Sequence, residues 1–198
     1  MLGALIKKVT AATLLLLAIL ATAASAQAAP PQWYVGKAPI TEVTPVILKS
    51  TLAFHYTDGA KHKFVSKCTA TAEGTISNSG PEGAGVDELT KGAATECVTT
   101  PEFCQPGVKA RVDLNFSSAA WPSHLVAGLP IRDEMFVTEV GVICIGREKS
   151  SNGWVSPVVK SSSLVFDKGH GNLLNNGGIT ITGSWKILTA TKQKVDAK

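Results

Sequence analysis

Four cysteines constrain this chain more than any other feature: Cys68, Cys97, Cys104 and Cys144 each lie in or beside a stretch that reads as a β-strand. An even cysteine count behind an export signal reads as two disulfides rather than as a metal or redox site. The signal is residues 1–26, in which Lys7 and Lys8 precede an apolar run from Val9 to Ala21 that ends in Ala24, Ser25 and Ala26. That run is shorter than the roughly 20 residues a membrane span requires, and it finishes in a cleavage pattern. A cleaved signal peptide, a secreted extracellular chain and no transmembrane anchor in the mature form are therefore expected. No twin arginine precedes the apolar run, which points to export of an unfolded chain and away from a preloaded cofactor. None is expected.

Charge names no partner. The chain has 19 basic and 15 acidic side chains, and loss of Lys7 and Lys8 with the signal leaves it close to neutral. No nucleic acid partner is expected. After the signal, no long segment keeps a helical period, and Gly, Ser, Thr, Asn and Pro recur between short apolar runs, the spacing of turns in an all-β domain. The expected organisation is a signal peptide at 1–26, a lead segment at 27–44 and a single domain at 45–198.

Within that domain, Leu48, Leu52, Phe54 and Tyr56 share one parity and Lys49, Thr51, Ala53 and His55 the other, the pattern of a half-buried strand. Asp58-Gly59 follows as a hairpin signal. A three-residue loop, Thr57-Asp58-Gly59 with the glycine left-handed, pairs Tyr56 with Ala60, Leu52 with Phe64 and Leu48 with Cys68, and turns every lysine outward. Val108, Ala110, Val112, Leu114 and Phe116 alternate with polar residues, implying a sheet face open to water. The stretch from Ile131 to Ile145 is apolar on both parities and reads as a strand covered on both faces. Asn175-Asn176-Gly177-Gly178 reads as a hairpin leading into Ile179, Ile181, Trp185 and Ile187. These segments predict an antiparallel two-sheet sandwich or flattened barrel of about nine strands. The favoured disulfides are Cys68 with Cys144 across the core and Cys97 with Cys104 around a short loop.

Several of these features together resemble a group of uncharacterised exported β-rich proteins of actinobacteria. They are Trp33-Tyr34-Val35-Gly36 after the signal, Cys68 followed by Gly74 and Ile76, Gly85 with Asp87-Glu88, Cys97 and Cys104, Trp121-Pro122-Ser123-His124-Leu125, and the last cysteine on a strand. The similarity spans most of the mature chain and departs at Ser117-Ser118-Ala119-Ala120. It implies export and a β-rich architecture, and it carries no activity.

Candidate chemistry is sparse. Ser123-His124, with Asp113 or Asp133 as a third group, invites a hydrolase reading, but adjacent residues on an extended chain point to opposite sides and no Gly-x-Ser-x-Gly elbow exists. The stretch from Asp167 to Asn172 resembles part of a calcium loop without its bidentate glutamate. Glu82, Asp87 and Glu88 on the glycine-rich loop could together bind a cation weakly, but they read first as solvated charges, and the four histidines show no zinc spacing. No catalytic, cofactor or metal residue is assigned.

Two surfaces are candidates for binding. Trp33, Trp121 and Trp154 lie near loops and could offer aromatic contacts to a carbohydrate, while Trp185 shares the parity of core residues. Lys49, Lys61, Lys63 and Lys67 gather on one outward face that could attract an acidic cell-envelope polymer. A non-enzymatic binding or structural module is expected, with a secreted hydrolase or enzyme inhibitor as the alternative.

Overall fold

The period-two alternation becomes strand almost throughout. The computed structural model describes residues 29–101, 103–104, 107–144, 147–167, 173–174 and 178–198. The expected signal peptide, most of the stretch from Asp167 to Asn172, and the hairpin tip at Asn175, Asn176 and Gly177 fall outside them. The strands are β1 (Trp33–Val35), β2 (Ala38–Pro39), β3 (Thr44–Thr57), β4 (Lys63–Ser77), β5 (Val86–Thr100), β6 (Arg111–Leu114), β7 (Trp121–Val126) and β8 (Arg132–Cys144). They continue as β9 (Arg147–Val155), β10 (Val158–Val159), β11 (Ser163–Phe166), β12 (Leu173–Leu174), β13 (Ile179–Thr189) and β14 (Val195–Ala197).

Of the two architectures expected, the barrel is the one found. The order β10-β11-β13-β3-β4-β5-β7-β8 closes when β10 returns to β8, giving an antiparallel barrel of 8 strands with extra strands attached. β6, β9 and β12 extend the barrel wall, and β14, β1 and β2 form a separate small sheet. That sheet joins the lead segment to the chain end through Trp33 opposite Ala197 and Val35 opposite Val195.

The first hairpin corrects the expected register. Leu52 faces Cys68, Tyr56 faces Phe64, and Thr57 faces Lys63, so the turn is residues 58–62 rather than three residues. Asp58 organises it: its Oδ1 accepts from the Ala60 and His62 amides, both at 2.9 Å. Lys61 takes the left-handed conformation, at φ 67°. The slip spans an even number of residues, so side-chain parity survives and the lysines still face outward. His62 lies in the exposed turn, and Ser66 lies opposite Phe54.

A second correction concerns β8. Its apolar residues on both parities arise from a register shift between Val137 and Val140 in its pairing with β9. Asp133, Met135 and Val137 are buried before the shift, and Val140, Val142 and Cys144 after it. An extra residue in one strand reverses which parity faces the core, so a bulge explains the pattern that suggested coverage on both faces.

The cysteine pairings differ from both expected ones. The structure joins Cys68 to Cys97, with Cα atoms 4.1 Å apart. β5 runs back along the whole of β4, and a register shift between Lys67 and Thr69 brings Cys97 opposite Cys68. Spacing along the chain favours Cys104 as the partner of Cys97, whereas the pairing of β5 with β4 gives it Cys68. Cys104 and Cys144 are both buried and lie near one another.

The interior is filled by side chains. Leu52, Phe54, Leu114, Trp121, Met135, Val137, Phe166, Ile181 and Trp185 surround a residual cavity of only about 10 Å³, at the lower limit for one water molecule. Trp185 Nε1 donates to the Ala70 carbonyl at 3.1 Å, satisfying its polar atom inside the core.

Non-reducing peptide mapping should recover a Cys68–Cys97 cross-link, and any second bridge should join Cys104 to Cys144. On the chain-entropy model, replacing Cys68 and Cys97 together by alanine should cost about 3.5 kcal/mol of stability. A peptide joining Cys68 to Cys144 would contradict the β4–β5 pairing.

Candidate functional site

The glycine-rich turn after β4, the Trp121-Pro122-Ser123-His124-Leu125 strand and the start of β8 converge at one end of the barrel. β5 pairs with β7 so that Asp87 lies opposite Ser123. β7 pairs with β8 so that Leu125 lies opposite Asp133. Inward parity runs through Gly85, Asp87 and Leu89 on the first strand, Trp121, Ser123 and Leu125 on the second, and Asp133, Met135 and Val137 on the third. Two carboxyl groups and a hydroxyl are thereby directed into an apolar core, with exposures of 9% for Asp87, 6% for Ser123 and 0% for Asp133.

Trp33 caps this end. Asn78 holds its strand through both backbone groups, accepting from the Trp33 amide at 2.7 Å and donating to the Trp33 carbonyl at 3.0 Å. The pyrrole edge of the indole lies against Gly85 and Leu125. A methyl group added at Gly85 would meet Trp33 Cδ1 at 3.0 Å and Leu125 Cδ1 at 2.5 Å, so glycine there makes room for the indole.

Burial is costly for a charged carboxyl without compensation. It pushes Asp87 up to about 6. Asp133 is held well above the usual carboxylate range, first by burial and then by the charge of Asp87 beside it. The two carboxyls and the Ser123 hydroxyl stand close enough to influence one another's protonation through weak side-chain contacts. Asp87 Oδ1, Ser123 Oγ and both Asp133 carboxyl oxygens have no hydrogen-bond partner. The Trp33 indole N–H shares that condition.

The hydrolase constellation considered from sequence does not assemble. His124 points outward, 3.8 Å from Glu134, while Ser123 points inward. Asp113 is exposed and lies 3.8 Å from Arg111. Asp133 does come beside Ser123, without a base and in a position closed to substrate. Glu82, Asp87 and Glu88 also separate, because Asp87 is buried while the two glutamates are exposed. Among the described residues no group of three or more His, Cys, Asp or Glu side chains converges in the manner of a metal centre.

The candidate aromatic residues divide. Trp33 and Trp121 are buried, which removes them as carbohydrate platforms, and the Trp121 indole donates to the Asn115 carbonyl at 3.2 Å. Trp154 is 52% exposed. It stands edge-on to Phe136 at 5.3 Å and to His124 at 6.3 Å.

The lysine face assembles as a surface. Lys49, Lys63 and Lys67 are exposed on the outer side of β3 and β4, and Lys61 is exposed in the turn joining them. Strand pairing adds Lys186 directly opposite Lys49, a neighbour that sequence reasoning missed although its outward parity was visible. A recess of about 490 Å³ on this face is lined by His55, Val65, Lys67, Val98 and Thr100, and Val98 is 67% exposed. Two carboxylates share the face, Glu73 bound to Lys91 at 2.6 Å and Glu96 accepting from Thr69 at 2.9 Å.

Comparison with protein-family models, with curated proteins and with solved structures gives no match.

Because three of the four tryptophans are buried, Trp154→Phe should remove most of the acrylamide-quenchable, red-shifted fluorescence of the folded protein. Quenching that persists unchanged would place another tryptophan at the surface. A serine-directed fluorophosphonate should leave Ser123 unlabelled, and labelling there would reopen the hydrolase reading.

Proposed function

We propose that this protein is an extracellular, non-enzymatic binding module whose open β3–β4–β13 face engages an acidic polymer of a cell envelope or surrounding matrix. The observation that carries the reading is a row of lysines along one solvent-facing wall, Lys186 opposite Lys49 at one end and Lys67 and Lys63 further along β4, with Lys61 at its rim. The filled interior supports it from the other side, since a barrel with about 10 Å³ of space among its central residues offers no chamber for a small molecule there. The recess beside Lys67 adds apolar contact from Val65 and Val98 to the positive charge. Clustered ammonium groups attract a polyanion without a shaped pocket, and salt weakens that attraction. Export, expected from residues 1–26, would bring such a polymer within reach. Trp154 supports a second reading, carbohydrate stacking on a different part of the barrel wall, because its ring is half exposed beside Phe136.

Co-sedimentation with purified cell walls tests the primary reading. Each lysine near an anionic surface contributes about 1 kcal/mol, so changing Lys61, Lys63 and Lys67 to Gln should weaken binding roughly a hundredfold at low salt, and high salt should release the native protein. Equal retention of native and variant proteins, or retention insensitive to salt, would remove the lysine face as the binding surface. Loss of retention on Trp154→Ala alone would favour the carbohydrate reading.

A further inference from the structure

Every buried side-chain polar atom without a hydrogen-bond partner among the described residues belongs to Trp33, Asp87, Ser123 or Asp133. Buried polar groups are ordinarily paired, so such atoms concentrated at one end of a barrel point to a bound species.

The chemistry of the donors narrows its identity. Two carboxyl groups buried together must be neutralised, either by protons or by a cation. A proton shared between Asp87 and Asp133 would neutralise one carboxyl, but it would leave the other charge, the Ser123 hydroxyl and the Trp33 N–H without full compensation. A cation bridging the groups would engage all of these oxygens at once. The facing donors are oxygens, which suit calcium or magnesium rather than zinc. Calcium tolerates the irregular geometry that two carboxylates and a hydroxyl from three adjacent strands impose, whereas magnesium demands near-ideal octahedra and keeps its waters. Glu134, next along β8, adds further negative charge near Asp133. The indole N–H of Trp33 is a donor, suited to an oxygen held by the ion rather than to the ion itself.

We propose that Asp87, Asp133 and Ser123 hold a calcium-type divalent cation within the barrel, beneath the cap formed by Trp33. The ion neutralises the carboxylates, cross-links β5, β7 and β8, and stabilises the end of the barrel on which the lead segment docks. Extracellular modules bind calcium at roughly 0.1–1 mM, a range that suits an exported protein. The site departs from the sequence-based expectation of no metal, and it is independent of the polymer-binding reading.

The test is thermal unfolding of the purified full-length mature protein at pH 7.5 after EDTA treatment and dialysis, with calcium added back, together with calorimetric titration. One calcium per chain is expected, with a midpoint raised by roughly 5–10 °C at about 100 times Kd. Asp133→Asn should abolish both. If that variant fails to fold, Asp87→Asn and Ser123→Ala take its place, each weakening calcium at least about tenfold. Absence of a response to calcium in the native protein overturns the proposal, as does native-like affinity in the variants. Proton compensation would instead show as stability that declines with rising pH from about 4 to beyond 6, because the folded carboxyls would retain protons that the unfolded chain has released. That profile without a calcium response overturns the cation assignment.

Discussion

The barrel depends on the seam where β10 returns to β8. There Arg132 pairs with Val158, the Val159 amide donates to the Ile131 carbonyl at 3.0 Å, and the Asp133 amide donates to the Pro157 carbonyl at 3.0 Å. The Arg132 guanidinium adds a bond to the Ser156 carbonyl at 2.8 Å. A closed sheet has no edge along its ring, so these few bonds turn a chain rich in exposed strand into one without an open template for pairing there. β8 bears the most on this closure: it pairs with β7 and β6 as well as with β9 and β10. The Val137–Val140 register shift lets it do so while keeping apolar side chains inward along its length.

Closure also places the unusual chemistry. Asp133 contributes its amide to the seam and its carboxyl to the interior, so the same residue joins the barrel's edges and anchors the buried polar cluster. Asp87 and Ser123 reach that cluster from the two strands next along the wall. Trp33, fixed through Asn78, closes the end above them. Chemistry directed inward is thus enclosed and serves the scaffold, while groups able to meet a large partner lie on the outside, where Lys49 and Lys186 face each other across two strands.

What was legible in the sequence was parity. Leu52, Phe54 and Tyr56 point inward and the neighbouring lysines outward, because one-sided burial enforces a period of two and survives an even slip in register. Partnership was not legible. Cys97 meets Cys68 only because β5 lies beside β4, and nothing local to either cysteine records that neighbour. The buried cluster had a readable signal that was passed over: Asp87 shares parity with Leu89, Ser123 with Trp121 and Leu125, and Asp133 with Met135. A charged residue on the apolar parity of a strand marks an inward polar group, but the union of the three required the strand order. In β8, a bulge imitated two-sided burial, since parity read across an inserted residue makes both faces appear apolar.

A barrel sealed by its seam and filled by its side chains should meet a large ligand with its outer wall. NMR titration of isotope-labelled protein with polygalacturonate, a soluble acidic polysaccharide, examines this directly through backbone amides and side-chain methyls. The account predicts salt-sensitive shifts at Lys49, Lys63, Lys67, Val65, Val98 and Lys186, with the methyls of Leu52, Val137 and Ile181 unchanged. Shifts concentrated on those interior methyls, or spread over the surface without preference for the lysine face, would contradict it.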